Sequence, residues 1–331
     1  MKLAVLGAGA WGTALAISFA QKHEVTLWGR DAAHVADISN ARSNVRYLPA
    51  VALPDSLIVE ANLAAALAHA DLSLIATSTA GLAATASLIH THTPQMPVLW
   101  ACKGFDRTTG KMPHETVGDS MGTKPGIRFG ALTGPSFALE VAKGLPCALT
   151  LAANDFEFAR AMTAQLSGRT LRIYSSDDLI GVELGGALKN VMAIAAGICD
   201  GMHLGMNARA ALITRGLAEI VRLGVAMGGK PETFMGLAGL GDLVLTATGD
   251  LSRNRAVGIQ LAQGMGLETI LASLGHVAEG VDSAQTALAL AKRYRVEMPI
   301  TEAVNAVLFA QADPRDTVKR LLSRDTKAES E

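Results

Sequence analysis

Six residues near the start of the chain constrain its fold most. Gly7-Ala8-Gly9-Ala10-Trp11-Gly12 follows the apolar run Leu3-Ala4-Val5-Leu6 and opens the helical stretch 13–20. In a strand-turn-helix of this kind Gly7 makes the tight turn, Gly9 lets the backbone approach a pyrophosphate, and Gly12 lets the helix pack closely on the strand. The helix N-terminus then offers free N–H groups and partial positive charge to phosphates. Glycine-rich turns imitate this spacing, but the strand before it, the helix after it and a second strand at residues 24–28 favour a dinucleotide site. The same glycines, and the lack of a cleavage site before the second strand, argue against reading residues 1–20 as a signal peptide.

Short aliphatic runs at 3–6, 25–28, 72–77, 98–102, 128–132, 148–152 and 171–174 alternate with Ala- and Leu-rich segments of helical length. That rhythm predicts βαβ units in a mostly parallel, doubly wound sheet. From residue 177 onward it stops, and helices are expected at 179–199, 208–226, 253–263, 281–294 and 301–309. The expected architecture is α/β: an N-terminal Rossmann domain over residues 1–177 and a C-terminal all-α domain over 178–331. The 331 residues suit two domains at roughly 150 residues each. With 29 Lys and Arg against 30 Asp and Glu, the net charge is −1, so no general basic surface exists to hold nucleic acid or anionic membrane. Phosphate recognition has to be local. Cys102, Cys147 and Cys199 are far apart, which indicates neither a disulfide framework nor a metal site and points to the reducing cytoplasm. Apolar runs are broken by polar residues before membrane-spanning length, so no integral membrane association is expected.

Three further features carry chemistry. Arg30 lies 18 positions beyond Gly12, at the end of the second strand, where an acidic residue would bind the ribose 2′-OH of NADH and an arginine can pair with the 2′-phosphate of NADPH. Arg30 favours NADPH; the adjacent Asp31 keeps NADH open, as does a reading of Arg30 as a solvated helix start. Between residues 179 and 199 the ionisable side chains are Glu183 and Lys189 alone. A lysine in so apolar a helix is either tuned by desolvation for proton exchange or snorkels to solvent; pairing with Glu183, six residues away, suits helical spacing poorly. Gly236-Leu237-Ala238-Gly239-Leu240-Gly241 is too glycine-rich for a stable helix interior and delivers Asp242. Ser252-Arg253-Asn254-Arg255 then reads either as a phosphate-ester site at a helix N-terminus or as an ordinary capped helix start.

Together with Ala101-Cys-Lys-Gly-Phe105, Thr133-Gly-Pro-Ser-Phe-Ala138, Gly181-Val-Glu-Leu-Gly-Gly-Ala-Leu-Lys-Asn-Val191, Asn207-Ala-Arg-Ala-Ala-Leu-Ile-Thr-Arg215 and Val277-Ala-Glu-Gly280, these segments span the chain. In that order they resemble the bacterial NAD(P)-dependent sn-glycerol-3-phosphate dehydrogenase family. The resemblance implies reversible reduction of dihydroxyacetone phosphate by NADH or NADPH, supplying glycerol 3-phosphate for phospholipid synthesis, in a cytoplasmic homodimer. It implies Lys189 as proton donor or acceptor, with Asp242 and Thr246 beside it. It places Lys103, Gly134, Ser136, Ser252, Arg253 and Asn254 around the substrate. Ala10, Trp11, Arg30, Lys103, Ala138, Arg253, Val277 and Glu279 join Gly7, Gly9 and Gly12 around the cofactor. One departure stands at Ala76-Thr77-Ser78, where relatives usually read Val-Pro-Ser; it falls at a strand end expected to border the cofactor. Two other readings stay open. A β-hydroxyacid dehydrogenase shares the two-domain plan, although Ser252-Arg253-Asn254 favours a phosphate ester. A regulator that senses NADPH without turnover would have no use for Lys189, Asp242 and Arg253 together.

Overall fold

A computed structural model describes residues 1–122, 126–274 and 278–323. The first strand, β1 (Lys2–Leu6), is flanked by α1 (Ala10–Phe19), β2 (Glu24–Trp28) and α2 (Ala32–Ala41). The sheet continues through β3 (Ile58–Glu60), β4 (Leu72–Ile75), β5 (Val98–Trp100), β6 (Phe129–Thr133), β7 (Cys147–Ala153) and β8 (Leu171–Ser176). Its order is β3-β2-β1-β4-β5-β6-β7-β8. All neighbours pair in parallel except β6 and β7, so the expected mostly parallel, doubly wound sheet is what forms. Central strands such as β4 and β5 are buried at every position, because helices cover both faces. The strand order reverses beside β1 and β4, which opens a crevice at the carboxyl ends of these strands, next to the glycine turn.

The rest of the described chain is helical. Its axis is the lysine helix, Leu179–Gly201, whose N-terminus is capped by Asp178: the carboxylate accepts from Gly181 N at 2.8 Å and from Lys230 N at 2.8 Å. By length and composition this helix could cross a membrane, yet 89% of its most apolar stretch is buried inside the protein. It is a core helix. The helices Gly205–Ala226, Asp242–Thr248, Arg253–Ala262, Glu279–Tyr294 and Pro299–Phe309 contribute side chains to the same core, among them Leu223, Leu243, Val257, Ala287 and Val304.

Candidate active site

The segment Leu237–Gly241 winds as a π-helical turn and runs directly into the helix Asp242–Thr248. This corrects the expectation that its glycines exclude a helix. The turn lies so close to the lysine helix that a Cβ on Gly185 would stand 2.5 Å from the Ala238 carbonyl oxygen, and this packing overrides glycine's poor helical propensity. Asp242 and Thr246 consequently share one helical face, four residues apart.

Lys189 Nζ donates to Asp242 Oδ1 and, at 2.8 Å, to Thr246 Oγ1. From the loop after β5, Lys103 Nζ donates to Asp242 Oδ2 at 2.6 Å and to the Gly134 carbonyl at 3.0 Å. One carboxylate thus bridges two ammonium groups, with side-chain exposures of 8% for Lys189, 1% for Asp242 and 12% for Lys103. Burial brings the Lys189 ammonium down to about 8 against the counter-pull of Asp242, and the Lys103 charge adds to the fall. An amine so placed exchanges its proton within the physiological range. Ser136 Oγ donates to the Gly134 carbonyl at 3.1 Å, on the same side of the cluster.

A second network begins one residue further along the lysine helix. Asn190 Oδ1 accepts from Asn254 Nδ2 at 2.9 Å, Asn190 Nδ2 donates to Glu279 Oε2 at 3.4 Å, and Asn254 Oδ1 accepts from Gly280 N at 3.0 Å. Burial pushes the Glu279 carboxyl up, opposed by the positive charges of Arg253, Lys103 and Lys189. Ser252 Oγ caps the helix that follows it, accepting from Arg255 N at 3.3 Å. The two arginines of this helix start then diverge. Arg253 is exposed, and among the described residues its guanidinium has no ion pair. Arg255 donates through Nε to Asp200 at 2.7 Å and through Nη1 to Asp250 at 3.0 Å, which takes it out of any ligand fork.

The cofactor end lies across the crevice. Gly7 has φ +132°, and a Cβ there would stand 2.7 Å from the Ala76 backbone, so Ala76-Thr77-Ser78 does border the glycine turn. Gly12 lies against the Gly7 carbonyl. Gly9 caps α1 in extended conformation with no side-chain bond, and a methyl placed on it would meet no atom within 4 Å. The first-turn N–H groups of Ala10, Trp11 and Gly12, which a helix start leaves without intrahelical partners, belong to the turn that opens this cradle, and that arrangement fits a pyrophosphate. Arg30 is exposed at the end of β2, whereas Asp31 is committed to α2, accepting from Ala33 N at 3.1 Å and His34 N at 3.3 Å. Ala138 heads the helix after the Thr133-Gly134 loop. Thr79 Oγ1 donates to the Lys103 carbonyl at 3.1 Å, so one loop touches both ends of the crevice. Val277 lies outside the described residues.

Residues 2–159 match the model of the NAD-dependent glycerol-3-phosphate dehydrogenase N-terminus, and residues 178–319 that of its C-terminus. The chain belongs to the NAD-dependent glycerol-3-phosphate dehydrogenase family. A glycerol-3-phosphate dehydrogenase (NAD(P)+) of Aromatoleum aromaticum is 56% identical over 330 residues, covering 99% of this chain and 100% of its own length. One from Ralstonia nicotianae is 55% identical over 336 residues, with coverage of 100% and 99%. A crystal structure of the Coxiella burnetii glycerol-3-phosphate dehydrogenase superposes with a TM-score of 0.92 at 40% identity, covering 98% of this chain and 99% of that one.

Several residues that brace this dehydrogenase site take no site role from the sequence. Glu183 accepts from Trp100 Nε1 at 3.1 Å, from His114 N at 2.9 Å and from His114 Nδ1 at 2.5 Å, clamping the loop that bears Lys103 to the lysine helix. Burial pushes the Glu183 carboxyl up; burial also lowers His114, but the Glu183 bond and charge outweigh it and lift the imidazole. Helical spacing makes a Glu183–Lys189 pair unfavourable and gives no sign of His114, 69 residues away in sequence. An asparagine directly after Lys189 in an apolar helix is the local sign of the second network, and the family resemblance names Asn254 and Glu279.

Proposed function

We propose that the Lys103–Asp242–Lys189 cluster manages the proton and charge of the reaction that interconverts dihydroxyacetone phosphate and sn-glycerol 3-phosphate. When bound, the nicotinamide supplies or accepts the hydride. In the reducing direction Lys189, as ammonium, donates its proton to the substrate carbonyl oxygen; in the oxidising direction Lys189, as amine, takes the hydroxyl proton. Asp242 and Thr246 hold the Lys189 nitrogen at a fixed point, so little reorganisation accompanies the transfer. Lys103 keeps a second positive charge beside the developing negative oxygen. Arg253, Asn254 and Ser252 hold the phosphate at a capped helix start, with Gly134 and Ser136 on the opposite wall. Gly7, Gly9, Ala10, Trp11, Gly12, Arg30, Lys103, Ala138, Arg253, Val277 and Glu279 line the cofactor pocket. Arg30 favours NADPH, and the commitment of Asp31 to its helix cap supports that preference.

The observation that carries this reading is the buried lysine held by a carboxylate that a second lysine also grips. Initial rates with dihydroxyacetone phosphate and each nicotinamide cofactor test it, beside unphosphorylated dihydroxyacetone and β-ketoacids. Turnover confined to the phosphorylated ketone is expected; absence of turnover with it would overturn the assignment. We place the protein in the cytoplasm as a homodimer supplying phospholipid synthesis, with its two domains divided after residue 177. Three free cysteines suit a reducing compartment. Leu204 and Met206, exposed at the start of one helix, offer apolar surface to a second copy.

A further inference from the structure

The link between α2 and β3 folds back onto the cofactor turn. Asn44, buried completely, donates through Nδ2 to the Ala8 carbonyl at 3.0 Å and to Thr13 Oγ1 at 2.8 Å, while its Oδ1 accepts from Tyr47 N at 3.2 Å. His34, in the first turn of α2, brings Nε2 to 3.2 Å from the same Ala8 carbonyl. Its ring meets the Tyr47 ring edge-on, with centroids 5.2 Å apart. The Arg46 guanidinium lies over the Tyr47 ring, 5.0 Å from its centroid.

These contacts fasten Arg46 beside the glycine turn and the first turn of α2. Arg30 stands at the start of that same turn, four residues before His34. Both arginines are exposed, and among the described residues neither guanidinium has an ion pair. Arg42, two residues before Asn44, instead gives its guanidinium to the Pro54 and Leu57 carbonyls. The nearest acid in sequence, Asp31, is occupied by its helix cap. Two uncompensated guanidiniums therefore flank the corner where the second strand delivers a bound dinucleotide's adenosine ribose.

We propose that Arg46 is a second binding residue for the cofactor's 2′-phosphate and sets the NADPH preference jointly with Arg30; this rests on the reading of Arg30 given above. A phosphate monoester carries close to two charges, so two guanidiniums approaching from separate elements neutralise it where one cannot. Stacking on Tyr47 holds Arg46 in place, which lowers the entropy lost when the phosphate arrives.

The test is binding, measured by calorimetry on the full chain with NADPH, NADH, adenosine 2′,5′-bisphosphate and AMP. Arg46→Ala is expected to weaken NADPH and the bisphosphate about three- to tenfold, the range for a charge-assisted bond discounted for exposure, and to leave NADH and AMP within about twofold. Arg46→Lys is expected to recover part of the loss, and rising salt to shrink the difference. Should Arg30→Ala discriminate between the cofactors while Arg46→Ala weakens both alike or neither, Arg46 is excluded and Arg30 stands. Loss of discrimination in neither variant overturns both assignments. An unchanged unfolding temperature of Arg46→Ala is the control for its fold.

Discussion

A methyl added at Gly9, in the turn between β1 and α1, would meet no atom within 4 Å, whereas one added at Gly258, on the helix Arg253–Ala262, would stand 2.0 Å from the Ile194 carbonyl oxygen. Gly197 repeats the second case, its added Cβ standing 2.0 Å from the Arg255 carbonyl. Gly9 leaves space open where a ligand would approach the turn, whereas Gly258 and Gly197 bring the Arg253 helix onto the lysine helix. The difference has a functional meaning. A cofactor that arrives and leaves needs an open cradle, while the lysine helix and the Arg253 helix are held at a fixed spacing by backbone contact.

If chemistry resides in the helical half and cofactor capture in the sheet half, removing Lys189 has the largest consequence. Lys189→Met keeps the length and apolar fit of the side chain, so the protein is expected to fold and bind NADPH while kcat falls about 10²–10⁴-fold, the range for a general acid. A fall in cofactor affinity with kcat intact would erase the division of labour.

Alanine at each of the two glycines separates open space from helix contact. Gly258→Ala has to push the Arg253 helix off the lysine helix, and a loss of about 1–3 kcal/mol is expected in denaturant titration, as for other forced overpacking. Gly9→Ala is expected to leave stability within about 0.5 kcal/mol, because its extended backbone accepts alanine and nothing is struck. Its cost appears as a rise of about tenfold in KM for NADH and NADPH alike, of the order of one lost phosphate contact. Equal destabilisation by both substitutions would refute the contrast.

One more substitution separates substrate contacts from cofactor contacts. Arg253→Ala removes an exposed charge, so about tenfold loss in kcat/KM for dihydroxyacetone phosphate is expected, with much less for unphosphorylated dihydroxyacetone. A matching loss on both substrates would assign Arg253 to the cofactor or to the fold.

Local patterns made the sheet half legible: the glycine turn, the aliphatic runs and the helix-length spacers each follow from neighbours in sequence. The strand β3 escaped because it has three residues, with Ile58 largely exposed. In the helical half, a lone lysine in an apolar helix marked the nitrogen that Asp242 and Thr246 hold. Long-range pairing hid the rest. Arg253 and Arg255 look alike in sequence, and Asp200, 55 residues before Arg255, separates their roles. Lys103 sits in a loop with no periodicity, so only the family resemblance pointed to it, and its hold on Asp242 spans 139 residues. The π-helical turn before Asp242 forms because tertiary contact outweighs what its glycines prefer alone.

Burial beside Asp242 and Lys103 would tune Lys189 to exchange a proton near neutral pH. The pH dependence of kcat tests it in both directions. Lys189 titrates at about 8, so it is charged below that pH and neutral above it. Reduction of dihydroxyacetone phosphate needs the ammonium, and its kcat is expected to fall as pH rises through about 8. Oxidation of sn-glycerol 3-phosphate needs the amine, and its kcat is expected to rise through the same pH. Both limbs are expected to vanish from the residual activity of Lys189→Met. Profiles that stay flat across this range, or limbs that persist unchanged in the variant, would contradict the account and move the proton to another group.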